Sequence, residues 1–330
     1  MGALVLAGAL IGAFAANLIA RNSAAATSNS KVLRETGGYS FISPLLSCNT
    51  SDQKGTEATG LESSISSLVE QAVSQGKTSE VSVYYRNMVT GEWADFNPTE
   101  HFSLASLGKV PLMMSYLSLE DETPGTLDEK IPDTLASDAN LQQEIRPQSS
   151  VHQGRTYSIA DLLQSMISYS DNNATILLDN HLDFSRLKET YSDLDIPLSE
   201  GTGNATSSGE QLTDFITPRE YSLFFRVLYN ATFISHDMSE YALSLLSKTA
   251  FKDGIVAGVT PSTTVSHKFG LTSIQAPDGT IGSRELHDCG IVYHPDGPYL
   301  LCVMTKTTSD IASDEQVIAD ISRMVFQAQK

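Results

Sequence analysis

Three short strings in this chain carry side chains that can act together on an amide bond: Ser106-Leu107-Gly108-Lys109, Ser170-Asp171-Asn172 and Lys268-Phe269-Gly270. A serine hydroxyl is a poor nucleophile until a neighbouring base takes its proton. Lys109 follows Ser106 by three residues, so on a helix the two share a face. If Ser106 stands at the helix start, free backbone N–H groups and the positive end of the dipole favour the charge that develops on an attacked carbonyl oxygen. A lysine serves as a base only when its pKa falls, and burial beside a second ammonium, Lys268, lowers it. Ser170 can then relay a proton to a departing nitrogen, and Asn172 can present its amide to an acylamino chain. Each string alone is commonplace in a chain this rich in serine. The information lies in all three occurring in this order, each beside a suitable element.

The elements that must position them follow from hydrophobic periodicity. Leu61, Ile65, Leu68, Val69 and Ala72 predict a helix over 61–75. Val81, Val83 and Tyr85 alternate as a strand, and Trp93 and Phe96 suggest a second strand beyond a turn at Thr90-Gly91. Residues 106–119 read as a buried helix in which Pro111 is tolerated only in the first turn. The stretch 121–156 is rich in Pro, Gly and Asp and reads as irregular. Ser158 opens the next helix with Asp161 as its capping partner and Ile159, Leu162, Leu163, Met166 and Ile167 facing inward; the second string closes it. Residues 192–216 show no period, a length of loop that points to function. Pro218 starts a helix to 229. Residues 264–270, 286–293 and 299–305 read as strands, the first ending in the third string, and a helix over 313–328 follows them. The expected fold class is α+β: an antiparallel sheet flanked by N- and C-terminal helices, with an inserted all-α domain. The α/β part takes 61–102 and 250–330, the all-α part 103–249.

Composition sets the outer limits. In 330 residues, 41% hydrophobic and 18% charged content suit a folded chain rather than a disordered one. A net charge of -18 argues against nucleic acid or an anionic membrane surface as partner, so an anionic substrate must be met by a few local lysines. Three cysteines make no disulfide framework. Cys289 and Cys302 flank the predicted hairpin and are read as buried free thiols, with a cross-strand disulfide as the alternative. No CxxC or HExxH string occurs, and neither a metal nor a cofactor is expected. Residues 1–20 carry no charged side chain and read as a membrane anchor or signal segment, which would put the rest outside the cytoplasm as an anchored or secreted monomer. Arg21, Lys31 and Arg34 follow that run and none precedes it, the reverse of the usual charge bias. Residues 21–60 read as a linker.

The context of the strings extends the pattern: Phe102 to Lys109, Met166 to Ala174, Thr217-Pro218-Arg219 and Val265 to Gly270. On these the chain resembles the class A β-lactamases and their penicillin-binding relatives, over about residues 60–330. The resemblance implies an α/β layer and an all-α domain with the site in the cleft between them. It implies that Ser106 is acylated with Lys109 and Ser170 as catalytic partners, and that Asn172, Lys268 and Gly270 bind substrate. The backbone N–H groups of Ser106 and Leu271 would form the oxyanion hole. A β-lactam or a peptidoglycan peptide is the implied substrate.

Two features depart from that family. Its third string usually has a hydroxyl residue that binds the substrate carboxylate, where this chain has Phe269; Thr272 and Ser273 are the hydroxyls left nearby. The string E-P-x-L-N, whose Glu activates the deacylating water, is absent. Glu200-Gly-Thr-Gly-Asn204 keeps the spacing, which makes Glu200 the candidate base and Asn204 a substrate-binding partner, with Asp214 pinning the far end of the loop. Three readings stand: a β-lactamase, a D,D-peptidase-like enzyme whose acyl-enzyme persists, or a non-catalytic relative. His267 and His287-Asp288 read as structural, because strand neighbours face opposite ways. The Asn-x-Ser/Thr triplets at Asn49, Asn173, Asn204 and Asn230 read as chance.

Overall fold

Alternating apolar residues build one five-stranded antiparallel sheet from the two ends of the folded region. In the computed structural model, residues 33–35, 37–47, 55–197, 199–205, 211–213, 215–275 and 280–329 are described, with side chains for all but 47, 199–205 and 211–213. The strands are β1 (Glu80–Asn87), β2 (Trp93–Phe96), β3 (Val265–Gln275), β4 (Ile281–Val292) and β5 (Tyr299–Thr307), in the spatial order β3-β4-β5-β1-β2. The pairing of β5 with β1 sets Val303 opposite Val83 and Cys302 opposite Tyr84. That contact joins the first part of the domain to the last.

The sheet is buried on both faces, and the strand period sorts its residues between them. Val81, Val83 and Tyr85, with Leu301 and Val303, face a core closed by helices α1 (Thr59–Ser74) and α8 (Ile311–Ala328). Cys289, Ile291, Leu300, Cys302 and Met304 face the other way, into a larger core shared with the all-α region. At the centre of that region lies α2 (Lys109–Glu122), buried at every position from Lys109 to Leu117, as a helix surrounded by others must be. Around it pack α3 (Ile159–Ser168), α4 (Asn172–His181), α5 (Phe184–Asp193), α6 (Pro218–Asn230) and α7 (His236–Leu246). The predicted cap holds: Ser158 and Asp161 form a capping box on α3, and Thr217 and Glu220 form another on α6, where Pro218 occupies the first turn.

Several expectations need correction. Cys289 and Cys302 are directly opposite in the β4–β5 register and are joined as a disulfide, not free thiols; their Cα atoms are 3.9 Å apart. β3 runs on to Gln275, so Lys268 lies inside the strand rather than at its end. The third string is polar and glycine-containing, which hides the continuation. The described part of the stretch read as a linker is held down. The Glu240 carboxylate accepts from the backbone N–H groups of Ser40, Phe41 and Ile42 at 2.6, 2.9 and 3.0 Å, and Arg34 donates to Asn230 at 3.0 Å. Within 192–216 there are short strands at Ser199–Ala205, Gln211–Thr213 and Phe215–Ile216. No helix among the described residues is long and apolar enough to cross a membrane; the expectation for residues 1–20 lies outside them.

Candidate active site

Ser106 sits in a single 3-10 turn, Ala105–Gly108, that runs directly into α2 at Lys109. The turn is held against the edge strand β3 by a close approach. A Cβ on Gly270 would lie 3.1 Å from Leu107 Cγ and 3.2 Å from both Leu104 O and Leu107 N. Glycine at 270 lets the strand edge and the nucleophile's turn touch. The Ser106 and Leu271 amides belong to the two segments that meet there, and β3, as an edge strand, has backbone donors to spare on its outer side.

Ser170 lies between α3 and α4 with a positive φ of 59°, a conformation uncommon for a non-glycine residue. The next residue explains how it is held. Asp171 caps α4, is fully buried, and accepts from Asn173 N at 2.9 Å, Val151 N at 2.8 Å and Asn140 Nδ2 at 2.8 Å. The middle residue of the second string is therefore an anchor. Ser170 and Asn172 on either side of it point to the site.

The side chains of the three strings converge. Lys109 Nζ donates to Ser106 Oγ at 3.1 Å, Ser170 O at 2.9 Å, Ser170 Oγ at 3.1 Å and Asn172 Oδ1 at 2.7 Å. From the opposite wall, Lys268 Nζ donates to Ser170 Oγ at 3.0 Å and to Phe269 O at 2.9 Å. Ser170 Oγ thus stands between two amines, one of which also touches Ser106. Both lysines are buried, at 4% and 0% exposure, and burial drives their titration. Burial pulls Lys109 down to about 7, with the Asp171 carboxylate working against it. Lys268 lies well below its usual range, first from burial and then from the charge of Lys109, with Asp288 opposing. Burial, and not the charge of Lys268, is what lowers Lys109, in contrast to the expectation from the sequence.

The Phe269 ring brings no hydroxyl to the site and lies 4.3 Å from Lys268 Nζ, centroid to nitrogen. Its ring is 5% exposed and stacks on Phe251 at 4.4 Å, in the layer under α1 and α8. Of the two hydroxyls that could replace the missing one, Ser273 is already engaged: its Oγ bonds the Glu144 carboxylate, which also accepts from Arg284 Nε at 3.0 Å. These contacts tie the segment before α3 to β3 and β4. His267 and Asp288 are hydrogen-bonded at 2.7 Å across β3 and β4 and fully buried, and His287 is buried with its pKa lowered to about 3, chiefly by burial. Asn173 is buried and donates to Asp138 at 2.9 Å, which leaves no room for a glycan.

The Glu200 and Asn204 side chains, with Asp214, fall outside the described residues; the backbone at 199–205 pairs with 211–213. Sequence reasoning passed over Asn140 and Gln143. Asn140 Oδ1 accepts from Asn172 N at 2.8 Å, and Gln143 Nε2 donates to Ser170 O at 3.2 Å. Both lie in the aperiodic stretch before α3, where a polar residue carries no spacing signal. No group of His, Cys, Asp and Glu suited to a metal ion occurs among the described residues.

A mixed fold with an antiparallel sheet, an all-α insertion and two lysines converging on two serines defines a class of protein. The sequence profile of the Beta-lactamase enzyme family matches residues 60–329, and the chain belongs to that family. Solved structures with the same fold include PBP-A, at 22% identity and a TM-score of 0.66 over 83% of this chain and 97% of that one. A β-lactamase from Sphaerobacter thermophilus is 22% identical, with a TM-score of 0.66 over 81% and 96%. The TLA-1 extended-spectrum β-lactamase is 21% identical, with a TM-score of 0.67 over 83% and 99%. A variant of PBP-A, 23% identical with a TM-score of 0.65, is an acyl-enzyme complex with penicillin G. No curated protein sequence matches the chain.

Proposed function

We propose that the protein is an active-site serine hydrolase that is acylated on Ser106 and hydrolyses β-lactams or related amides. The observation that supports this best is Lys109 Nζ at 3.1 Å from both Ser106 Oγ and Ser170 Oγ, in a buried site where the amine is half neutral near pH 7. In the forward step, neutral Lys109 takes the Ser106 proton as Oγ bonds to the carbonyl carbon. The oxyanion is met by the Ser106 and Leu271 amides. The proton then passes through Ser170 to the nitrogen, the C–N bond breaks, and an ester on Ser106 remains. Lys268, beside Ser170, favours the anionic end of the substrate, and Asn172 takes its acylamino group. Water completes the cycle, with Glu200 as its base and Asn204 beside it; the ester becomes a free acid and Ser106 recovers its proton. The molecule acts as a monomer outside the cytoplasm, anchored or released through residues 1–20. Washing membranes at alkaline pH separates these, and recovery only from cytosol would rule out both.

Turnover of a chromogenic cephalosporin and labelling by a tagged penicillin test the chemistry together. Wild type is expected to do both and Ser106→Ala neither. Turnover by Ser106→Ala would overturn the assignment of the nucleophile. A second reading, an acyl-enzyme that persists as in a D,D-peptidase, is favoured by the absent E-P-x-L-N string and by Phe269 in place of a hydroxyl. It predicts a stoichiometric adduct on Ser106 with little turnover. Under the first reading Glu200→Gln acylates normally but traps the adduct, with deacylation slowed by at least about 100-fold. Wild-type turnover in that variant would remove Glu200 from the mechanism.

A further inference from the structure

Beside Ser170, the side chain of Gln143 is fixed in one orientation by its own hydrogen bonds. Its amide nitrogen has two hydrogens and meets two acceptors, Asn140 Oδ1 at 2.7 Å and Ser170 O at 3.2 Å. Asn140 cannot exchange its own ends to suit another arrangement. It is buried, its Oδ1 also accepts from Asn172 N at 2.8 Å, and its Nδ2 donates to Ser150 Oγ and to Asp171 Oδ1, both at 2.8 Å. A flip would set donors against donors at residues 143 and 172 and an oxygen against the Asp171 carboxylate. Gln143 Nε2 is therefore committed. Its Oε1 is left with no partner among the described residues, on a side chain that is partly exposed.

Asn172 is the complementary case. Its Oδ1 accepts from Lys109 Nζ at 2.7 Å, so the end left without a partner among the described residues is the donor, Nδ2. The two amides hang from shared groups. Asn140 Oδ1 receives both Gln143 Nε2 and the Asn172 backbone N–H, and Ser170 O receives both Gln143 Nε2 and, at 2.9 Å, Lys109 Nζ. The wall beside Ser170 thus presents one spare acceptor close to one spare donor. A residue of an extended peptide matches such a pair, because its N–H and C=O project to the same side, as they do between paired strands. With the acylamino carbonyl of a substrate on Asn172 Nδ2, an N–H on the neighbouring α-carbon faces Gln143 Oε1.

We propose that Gln143 is a specificity-determining residue of the Ser106 site: its Oε1 accepts from an α-N–H of the acyl chain and so selects peptide-like, N-acyl-aminoacyl substrates over simple acyl ones. The inference rests on acylation at Ser106. The full-length protein and its Gln143→Met variant are reacted with three penicillins. Penicillin G has no α-N–H, ampicillin has an α-ammonium, and N-acetylampicillin has a neutral α-amide. The neutral amide separates hydrogen bonding from attraction to the carboxylate of Glu144, which follows in the chain and pairs with Arg284. Methionine keeps the length of glutamine and removes both polar ends, so loss of the Ser170 contact slows all three acylations alike. Loss of the acceptor changes a ratio: the acylation rate with N-acetylampicillin relative to penicillin G should fall by about fivefold or more. A ratio that stays the same, or a relative fall for ampicillin alone, overturns the proposal. If no penicillin labels wild-type Ser106, the proposed function falls and this inference with it. Should Gln143→Met not fold, a crystal structure of the wild type acylated by N-acetylampicillin decides. An α-amide nitrogen within hydrogen-bonding distance of Gln143 Oε1 supports the assignment, and any other placement overturns it.

Discussion

Lys109 holds a position in which its two protonation states do different work. As an ammonium it donates to the oxygens of Ser106, Ser170 and Asn172; as an amine it has a lone pair for the Ser106 proton. With burial setting its pKa near 7, the acylation rate should climb as pH passes through about 7 and level off about one unit above. Rapid-mixing measurements of penicillin labelling between pH 5.5 and 9 check this; a flat profile would remove Lys109 as the base. The same shift has a thermodynamic signature. The folded pKa is depressed below the usual 10.5, so between about 7 and 10.5 the unfolded chain holds a proton that the folded chain has lost. Stability therefore rises with pH in that window, by about 1.4 kcal/mol per unit from this group. Lys109→Met should flatten that part of the curve in urea titrations.

At the scale of elements, the site depends on a strand edge touching a 3-10 turn. Gly270→Ala places a methyl group 3.1–3.2 Å from Leu107 and from Leu104 O, so the turn must give by a few tenths of an ångström. We expect acylation to fall by about tenfold or more and stability by about 1 kcal/mol; unchanged labelling would show that the turn has slack. This contact also marks how far the sequence could be read. The three strings pointed to the proposed chemistry because residue type and order are properties of the chain. The capping box at Ser158 and the strand alternation at Val81 were legible because they are local. Helices α4, α5 and α7 were left within an undifferentiated helical region: each is only ten or eleven residues long, which leaves few apolar positions to mark a period. The Asp171 anchor, Asn140, Gln143 and the Glu144–Arg284 pair depend on contacts over sequence distances of 20 to 140, which no local pattern records. The disulfide was a matter of register: a slip of one residue would have put Cys289 and Cys302 on opposite faces.

Across the whole molecule, stability should carry the mark of Asp314. This residue, in the first turn of α8, is fully buried, and burial raises its pKa to about 7 against the nearby Thr78 and Thr305 hydroxyls. Between about 4 and 7 the folded protein keeps a proton that the unfolded chain releases, so this group's contribution to stability declines as pH rises. Asp314→Asn should therefore stabilise the protein at pH 8, by about 1–2 kcal/mol, and do much less at pH 5. Thermal melts of both proteins at the two pH values check it; equal shifts at both would refute the titration argument.

The β1–β5 pairing has a further consequence for biosynthesis. β1 is made early, yet its long partner strand emerges more than 200 residues later, and the edge that carries Lys268 is tied to that same hairpin. Closing so large a loop is slow relative to forming the helices between. A nascent chain can form α2 with Lys109, and the turn of Ser106 before it, while Lys268 is still in the ribosome. Under the proposed function, competence to be acylated is thereby deferred until synthesis is nearly finished, and a product terminated before Lys268 is expected to be inert.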